Sequence, residues 1–211
     1  MENSFHVGMS ATLQLMEICG IVAFACSGFI EARSKQMDMV GVFVVAFVAS
    51  FGGGTLRDLL MGRHPLFWIQ HQEYPLLVFL LTLAITPFFR HLRTSWAEKS
   101  IVFADALGLG IFSAVGTSLA QEAQIPVFVC AMMGVITAVF GGVLRDVLCN
   151  EIPMVFRRNQ LYTACSFFGC WIFLLLKWLH LPQVIALVAS ATVIVIVRLL
   201  AVRFDIRMPS W

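Results

Sequence analysis

One unusual motif occurs twice in this chain and constrains its fold more than any other feature. The first copy, GGGTLRD at 52–58, closes a run of 18 uncharged residues that begins at Met39. The second, GGVLRD at 141–146, closes another uncharged run, whose last 18 residues extend from Val127 to Leu144. Adjacent glycines are poor helix formers, each about 1 kcal/mol worse than alanine. Their recurrence after a shift of 88 residues, from Arg57 to Arg145, indicates an internal repeat.

The composition predicts a membrane protein. Of the 211 residues, 60% are hydrophobic and only 12% are charged, whereas soluble domains carry about 25% charged residues. Several apolar runs approach the ~20 residues that a membrane-spanning helix needs. The six cysteines show no CxxC spacing, which favours packing over metal binding or redox chemistry.

The hydropathy pattern predicts an all-α polytopic fold of seven transmembrane helices. Two inverted three-helix repeats would be followed by one extra helix. We predict an outside tail at 1–9, a first repeat at 10–93, a second at 94–180, the seventh helix at 181–203 and a cytoplasmic tail at 204–211. The predicted spans are 10–30, 39–60, 74–89, 101–120, 125–148, 162–176 and 183–202.

The distribution of basic residues predicts an orientation. Apart from the motif arginines, Arg63 and Lys177 fall on one side of the membrane and ten basic residues on the other. The positive-inside rule then places the N-terminus outside and the C-terminus in the cytoplasm. The ten are Arg33, Lys35, Arg90, Arg93, Lys99, Arg157, Arg158, Arg198, Arg203 and Arg207.

The repeat extends beyond the motifs. Since each unit holds three spans, the second should enter the membrane inverted, as in many transport folds whose pathway lies where the repeats meet. The 88-residue shift relates Glu17 to Asp105, Gly20 to Gly108, Phe24 to Phe112, Gly28 to Gly116, Pro65 to Pro153 and Tyr74 to Tyr162.

The glycines suggest two roles. Those at 20, 28, 108 and 116 recur every eight residues, which favours close helix packing. The adjacent motif glycines instead predict a kink that opens backbone carbonyls to a pathway. The candidate pore and kink residues are Gly52, Gly53, Gly54, Thr55, Thr137, Gly141 and Gly142.

The ionisable residues inside the spans predict a charge network, because charges there are costly and usually have a partner or a function. We expect Glu17 to pair with Arg57, and Asp105 with Arg145. Asp58 and Asp146 should point about 100° away around the helix, where they would hold the kink or attract cations. A purely structural clamp is the alternative role for the arginines.

Enzyme motifs are lacking in the sequence. The five histidines share no ligand spacing, and there is no Walker, GxSxG or HExxH motif. The sequence offers no basis for nucleic-acid binding. No resident cofactor is predicted, so the small ligands expected are transported K⁺ or Na⁺ ions and bound membrane lipid.

With both motifs and the repeat in view, the sequence resembles bacterial members of the TRIC family, the trimeric intracellular cation channels, which are also described as glycine-transporter-domain proteins. The similarity covers nearly the whole chain and is most specific at 52–58, 105–109 and 134–154. It implies a homotrimer with one pore inside each protomer. The second and fifth spans would line that pore, which would conduct monovalent cations, chiefly potassium. The lysine-bearing features of animal members have no match here.

The sequence leaves more than one function open. A passive cation channel would select through bared carbonyls and acidic mouths, with Phe51 or Phe140 gating by dewetting. A carrier for glycine or another small zwitterion would use the same inverted repeats. A membrane scaffold, the third alternative, fits poorly with paired intramembrane motifs.

Overall fold

This computed structural model describes the backbone of residues 11–88, 94–157 and 161–206, and their side chains apart from 86–88 and 94–98. Within these residues the protein consists of α-helices, short connections and a 3₁₀ turn at Met154–Phe156. The helices are α1 (Ala11–Ser34), α2 (Met39–Leu60), α3 (Phe67–Gln70), α4 (Glu73–Phe88), α5 (Thr94–Glu122), α6 (Val127–Leu148), α7 (Tyr162–Trp178) and α8 (Gln183–Arg203).

Five of these helices, α1, α2, α5, α6 and α8, are long and apolar enough to cross a membrane. The two shorter apolar helices, α4 and α7, coincide with the predicted third and sixth spans. The predicted fold class, an all-α polytopic membrane protein, is confirmed, while the count of seven spans stays a prediction. The largest difference in boundary is α5, which begins seven residues before the predicted 101. The predicted ends at 10 and 89 lie outside the described residues, as do Arg90, Arg93, Arg158 and Arg207.

The backbone shows the repeat directly in its turns. Gln36 and Gln124, which are 88 residues apart, both have a φ of 57° after a long helix. Gly62 and Asn150, again 88 apart, have φ of 64° and 56°. A left-handed conformation costs a non-glycine residue roughly 1–2 kcal/mol, so its recurrence at matching positions marks two copies of one backbone design.

The two repeats pack against each other through reciprocal contacts. A β-carbon on Gly20 of α1 would lie 3.1 Å from the Phe112 ring of α5, and one on Gly108 would lie 2.9 Å from the Phe24 ring. The two rings stack with their centroids 5.5 Å apart. The predicted packing role of these two glycines is thus confirmed, and each glycine accommodates the ring of the other repeat.

The motif helices α2 and α6 meet at the closest contact in this interface. A β-carbon on Gly53 would overlap the carbonyl oxygen of Thr137, and one on Gly141 would overlap the carbonyl oxygen of Ala49. The contact that lies later in the sequence of α2 lies earlier in that of α6, so the two helices are antiparallel. Reciprocal pairs of this kind define a twofold relation, and the second repeat is inverted as predicted.

No unwound break interrupts the motif helices at their glycines, while the predicted kink stays a prediction. α2 is α-helical from Met39 to Leu60 and α6 from Val127 to Leu148, each continuous through its glycines. The physical reason is close backbone packing, which small residues permit between membrane helices. That packing offsets the poor helix propensity of glycine and leaves the motif glycines inside regular helix.

Candidate functional site

A buried charge cluster centres on Arg57 in the first repeat. Its Nη1 lies 3.3 Å from Glu17 Oε1 on α1, and its Nε donates to Asp58 Oδ1 at 2.9 Å. The guanidinium carbon lies 5.1 Å from the centre of the Phe67 ring, within reach of a cation–π interaction. The predicted pairing of Glu17 with Arg57 is present.

Asp58 does not point away from this pair as expected. Its Oδ1 binds Arg57 and its Oδ2 accepts the backbone N–H of Phe67 at 2.9 Å. The helix places the two α-carbons about 100° apart, but the long arginine side chain curls back so that Nε reaches its neighbour. Asp58 therefore joins the end of α2 to the start of α3.

The second repeat builds the same cluster around Arg145. Its Nη1 donates to Asp105 Oδ1 at 2.8 Å, and its Nη2 to Asp146 Oδ1 at 2.7 Å. Asp146 Oδ2 accepts the backbone N–H of Met154 at 2.9 Å, so it also joins the motif helix to the following turn. The second predicted ion pair is present, and the expectation that Asp146 points away is wrong for the reason given for Asp58.

Three residues that sequence reasoning did not assign to the site complete the second cluster. Ser27 of α1 accepts a hydrogen bond from Arg145 Nη1, whereas the 88-residue shift gives Val115 as its counterpart. Tyr162 of α7 places its hydroxyl 3.2 Å from the position of a β-carbon on Gly142. Arg198 of α8 lies with its guanidinium carbon 4.9 Å from the centre of the Tyr162 ring.

Arg198 is buried within α8, with 1% of its surface exposed. Its assignment to the basic residues that flank the membrane was wrong, because the side chain packs against α7 inside the helix bundle. Uninterrupted apolar residues on both sides, 193–197 and 199–202, are the sequence signal that distinguishes it from a flanking charge. When Arg198 is left out, the predicted excess of basic residues still falls on the cytoplasmic side.

A polar cavity of about 120 Å³ adjoins the first cluster. It lies between α1, the end of α2 and the segment around α3. Its lining includes Gln14, Glu17, Arg57, Asp58, Arg63 and His71. Arg63 and His71 are about 30% exposed and form the open edge of this outer cavity, as we name it here.

The remaining candidate residues lie on other surfaces. An apolar groove of about 300 Å³ is lined by Phe51, Gly52, Thr55 and Phe140, among others. Thr55 accepts a hydrogen bond from the indole N–H of Trp68 at 3.0 Å. The hydroxyl of Thr137 donates to the carbonyl of Met133 at 2.6 Å. Gly54, by contrast, lies against the Phe67 ring, and Gly142 lies beside Asp105 in the second cluster. The pore and gate roles of all these residues stay predictions.

An ion pair outside the helices links the two connections on the side of the second cluster. Lys35, after α1, donates a hydrogen bond to Glu151, after α6. Arg157 lies 3.1 Å from the other Glu151 oxygen. The bond from Lys35 lowers the pKa of Glu151 below its usual 4.5, and the same bond raises the pKa of Lys35 above 10.5.

The antiparallel motif helices and the paired clusters define an inverted-repeat membrane protein of the TRIC channel fold. A TRIC cation channel structure, from a study of conductance, matches with a TM-score of 0.81 and 36% identity over 94% of this chain and 96% of the other. The TRIC trimeric intracellular cation channel orthologue from Rhodobacter sphaeroides matches with a TM-score of 0.86 and 29% identity over 92% and 98%.

The chain belongs to the family described as Glycine transporter, whose model matches residues 14–91 and 102–178. The two matches begin 88 residues apart, the shift found between the motifs. A UPF0126 membrane protein of Vibrio cholerae is 35% identical over 96% of this chain and 84% of its own. The UPF0126 inner membrane protein YadS of Escherichia coli K12 is 32% identical over 93% and 94%. The predicted family is confirmed.

Proposed function

We propose that this protein is a homotrimeric channel for monovalent cations, chiefly potassium, with one pathway inside each protomer. The observation that carries the proposal is the pair of buried acid–arginine clusters on the antiparallel helices α2 and α6. The fold match to TRIC cation channels supports the transport class. The trimeric state is proposed from the relative in Rhodobacter sphaeroides, which is described as trimeric.

In this proposal the carboxylates attract cations at both ends of the pathway. Glu17 Oε2 and Asp105 Oδ2 are buried and have no hydrogen-bond partner among the described residues. These two oxygens occupy matching positions in the repeats, where a partly dehydrated cation would bind them. The second carboxylate of each cluster, Asp58 or Asp146, already binds its arginine and accepts a backbone N–H.

Opening requires a movement of α2 against α6. The contacts of Gly53 with Thr137 and of Gly141 with Ala49 bring the helix backbones together between the clusters. A rotation or separation at these contacts would connect the two clusters without breaking either helix. Small residues at a helix contact suit such sliding, because few side chains must repack.

We further propose the bacterial inner membrane as the location, with the N-terminus outside, the C-terminus in the cytoplasm and membrane lipid around the trimer. The relative in Escherichia coli is an inner membrane protein, and the basic residues favour this orientation. On this orientation the first cluster lies toward the outside and the second toward the cytoplasm. Cysteine labelling at positions 35 and 72 would test it, because the two should react from opposite sides.

Recording from purified protein in planar bilayers tests the channel. We expect unitary potassium currents whose reversal potential follows the cation gradient and not the chloride gradient. Arg57→Ala and Arg145→Ala should change conductance or opening. Stable trimers of both variants with unchanged currents would assign the arginines to a structural clamp alone.

A carrier for a small zwitterion such as glycine is the second candidate. The description of the family and the polar cavity beside Glu17 favour it. Saturable glycine counterflow in liposomes, without unitary currents, would replace the channel proposal with this one. A scaffold would show no flux of either solute.

A further inference from the structure

We infer that ions enter the proposed pathway at the second cluster, along the face of α1 that carries Ser27, Glu31 and Lys35. The ion pair of Lys35 with Glu151 closes this entrance. The three α1 residues recur every four positions, so their side chains lie above one another on one side of the helix. The inference rests on the proposed function, because it gives the proposed pathway an entrance.

The contacts of this α1 face lead from the buried cluster to the surface. Ser27 is fully buried and accepts a hydrogen bond from Arg145 Nη1. Glu31 is partly buried and lies within electrostatic reach of both Arg145 and Lys35. Lys35 binds Glu151 in the turn after α6, and their side chains are 33% and 37% exposed. Polar side chains therefore follow one another from Arg145 to the solvent.

The other repeat provides a comparison for this face. The corresponding residues of α5, which lie 88 positions later, are all apolar: Val115, Leu119 and Ala123. Val115 and Leu119 are buried. The twofold relation directs this apolar face toward the first cluster as it directs the polar face toward the second. Since a charge is costly to bury among apolar groups, the α1 face is the one of the two that suits ion entry.

The same comparison identifies the ion pair as a closure. The positions that correspond to Glu151 and Lys35 hold Arg63 and Ala123, which cannot form an ion pair. At that end of the molecule the outer cavity is open, with Arg63 at its edge. At the second cluster the pair instead joins the end of α1 in one repeat to the turn after α6 in the other. Separation of these two ends would expose Glu31, and the ion pair opposes it.

An ion pair with this exposure is a weak closure. Exposed pairs shift an equilibrium by no more than about fivefold. Salt screens them, because the Debye length falls from about 10 Å at 0.1 M to about 3 Å at 1 M. The entrance should therefore open more often as the salt concentration on its side of the membrane rises. Glu31 lies behind the pair, where its charge would attract cations into the opened entrance.

Cys149 offers a native probe of this opening. It is 3% exposed and lies within electrostatic reach of Glu31 and Lys35. Its reaction with an uncharged maleimide can be followed on the full chain in nanodiscs, with Cys149→Ser to identify its share of the labelling. Lys35→Gln and Glu151→Gln should each react about two- to fivefold faster than the wild type. The wild type should react faster at about 1 M than at about 0.1 M potassium chloride.

Two controls make the labelling specific. Arg33→Gln removes the same charge two residues away and should leave the rate unchanged. Loss of Lys35 by itself raises the pKa of the Cys149 thiol and slows its reaction, so a faster rate in Lys35→Gln reports exposure of the thiol. Unchanged rates in Lys35→Gln and Glu151→Gln, or an equal acceleration in Arg33→Gln, would overturn the closure.

Current recording tests Glu31 as the residue that attracts cations. Glu31→Gln should reduce potassium current from the side of the second cluster at least about twofold at about 0.1 M salt, and less at about 1 M. Glu31→Asp, which keeps the charge, should retain the current. Glu73→Gln is the matched control, because Glu73 pairs with His71 at the edge of the outer cavity. Equal effects of Glu31→Gln and Glu73→Gln on this current would remove Glu31 from the entrance.

The two measurements separate this inference from the proposed function. Labelling that responds to Lys35→Gln in a protein without potassium currents would keep the closure and remove the channel. Potassium currents in a protein whose Cys149 labelling ignores both variants would keep the channel and remove the closure. An increase of both labelling and open probability in Lys35→Gln supports both.

Discussion

Gly53 of α2 lies so close to Thr137 of α6 that a β-carbon on the glycine would overlap the threonine carbonyl oxygen. The contact joins backbone to backbone, so neither helix can yield by changing a rotamer. The same arrangement recurs between Gly141 and Ala49. Gly53 and Gly141 are thus contact residues between two continuous helices.

Gly53→Ala should destabilise the protein by about 1–3 kcal/mol, the usual cost of overpacking. The added methyl group must displace a backbone carbonyl and with it the whole of α6. Thermal unfolding in detergent and unitary conductance would both report the change. We expect a lower unfolding temperature and reduced current.

Gly52→Ala is the matched control for that prediction. Its β-carbon would lie 2.7 Å from the Cδ1 atom of Leu144, a flexible side-chain end that can move aside. The gain of about 1 kcal/mol in helix propensity should roughly offset that adjustment. Equal losses at Gly52 and Gly53 would show that the glycines act through local backbone flexibility instead of the contact.

Glu17→Gln and Asp105→Asn should each destabilise the protein by about 1.5–3 kcal/mol, the range for a hydrogen bond to a charged group. The loss should be larger for Asp105, whose oxygen lies 2.8 Å from Arg145, than for Glu17 at 3.3 Å from Arg57. Reversible unfolding in mixed micelles would measure both. Glu17→Gln with folding and transport intact would refute a role for the first pair.

The gate candidates should respond differently to truncation. Phe51 is buried, with its ring centre 4.7 Å from that of Phe47, so Phe51→Ala should cost about 3–5 kcal/mol in stability. Phe140 is only partly buried on the apolar groove. If it gates by dewetting, Phe140→Ser should raise the open probability with little loss of stability. An unchanged open probability would remove Phe140 from the gate.

The ion pair of Lys35 and Glu151 predicts a pH window for stability. Because the pKa of Glu151 is lowered, its contribution is complete above 4.5 and is lost as the pH falls through the lowered value. Because the pKa of Lys35 is raised, its contribution is complete below 10.5 and is lost as the pH rises through the raised value.

Unfolding temperatures measured across this range should show the effect as a difference between wild type and Glu151→Gln. The difference should be constant between 4.5 and 10.5 and shrink outside these values. Lys177→Gln, which removes a basic residue elsewhere, is the control. A difference that persists unchanged in strong acid would contradict the pairing.

The helices and the two ion pairs were predictable because their causes are local or repeated. The uncharged run and its flanking polar residues predict α2 with the ends that are observed, Met39 and Leu60. Glu17 and Arg57 are 40 residues apart, as are Asp105 and Arg145. Equal spacing of opposite charges in two copies of one unit indicates a contact within each unit.

The other features of the site depend on contacts between the two repeats or with α8, and the repeat pattern does not encode such contacts. Ser27 reaches Arg145 across the repeat boundary, and Arg198 comes from α8, which has no counterpart. The continuity of α2 and α6 through their glycines was not predicted for a related reason. Helix propensity describes a lone helix, whereas Gly53 and Gly141 each lie against a carbonyl of a neighbouring one.

The junction of α2 with α6 has one more consequence, for the history of the chain. It is made of α-carbons and carbonyl oxygens, atoms that every amino acid supplies. After a duplication, each half could therefore accumulate its own substitutions without losing its fit to the other, provided that glycine stayed at 53 and 141. Phe67 against Arg57, where the second repeat has Val155, and Ser27 against Arg145, whose counterpart is Val115, are such independent substitutions. A contact made of main-chain atoms allows the two repeats to diverge in sequence while they still pack against each other in one protein.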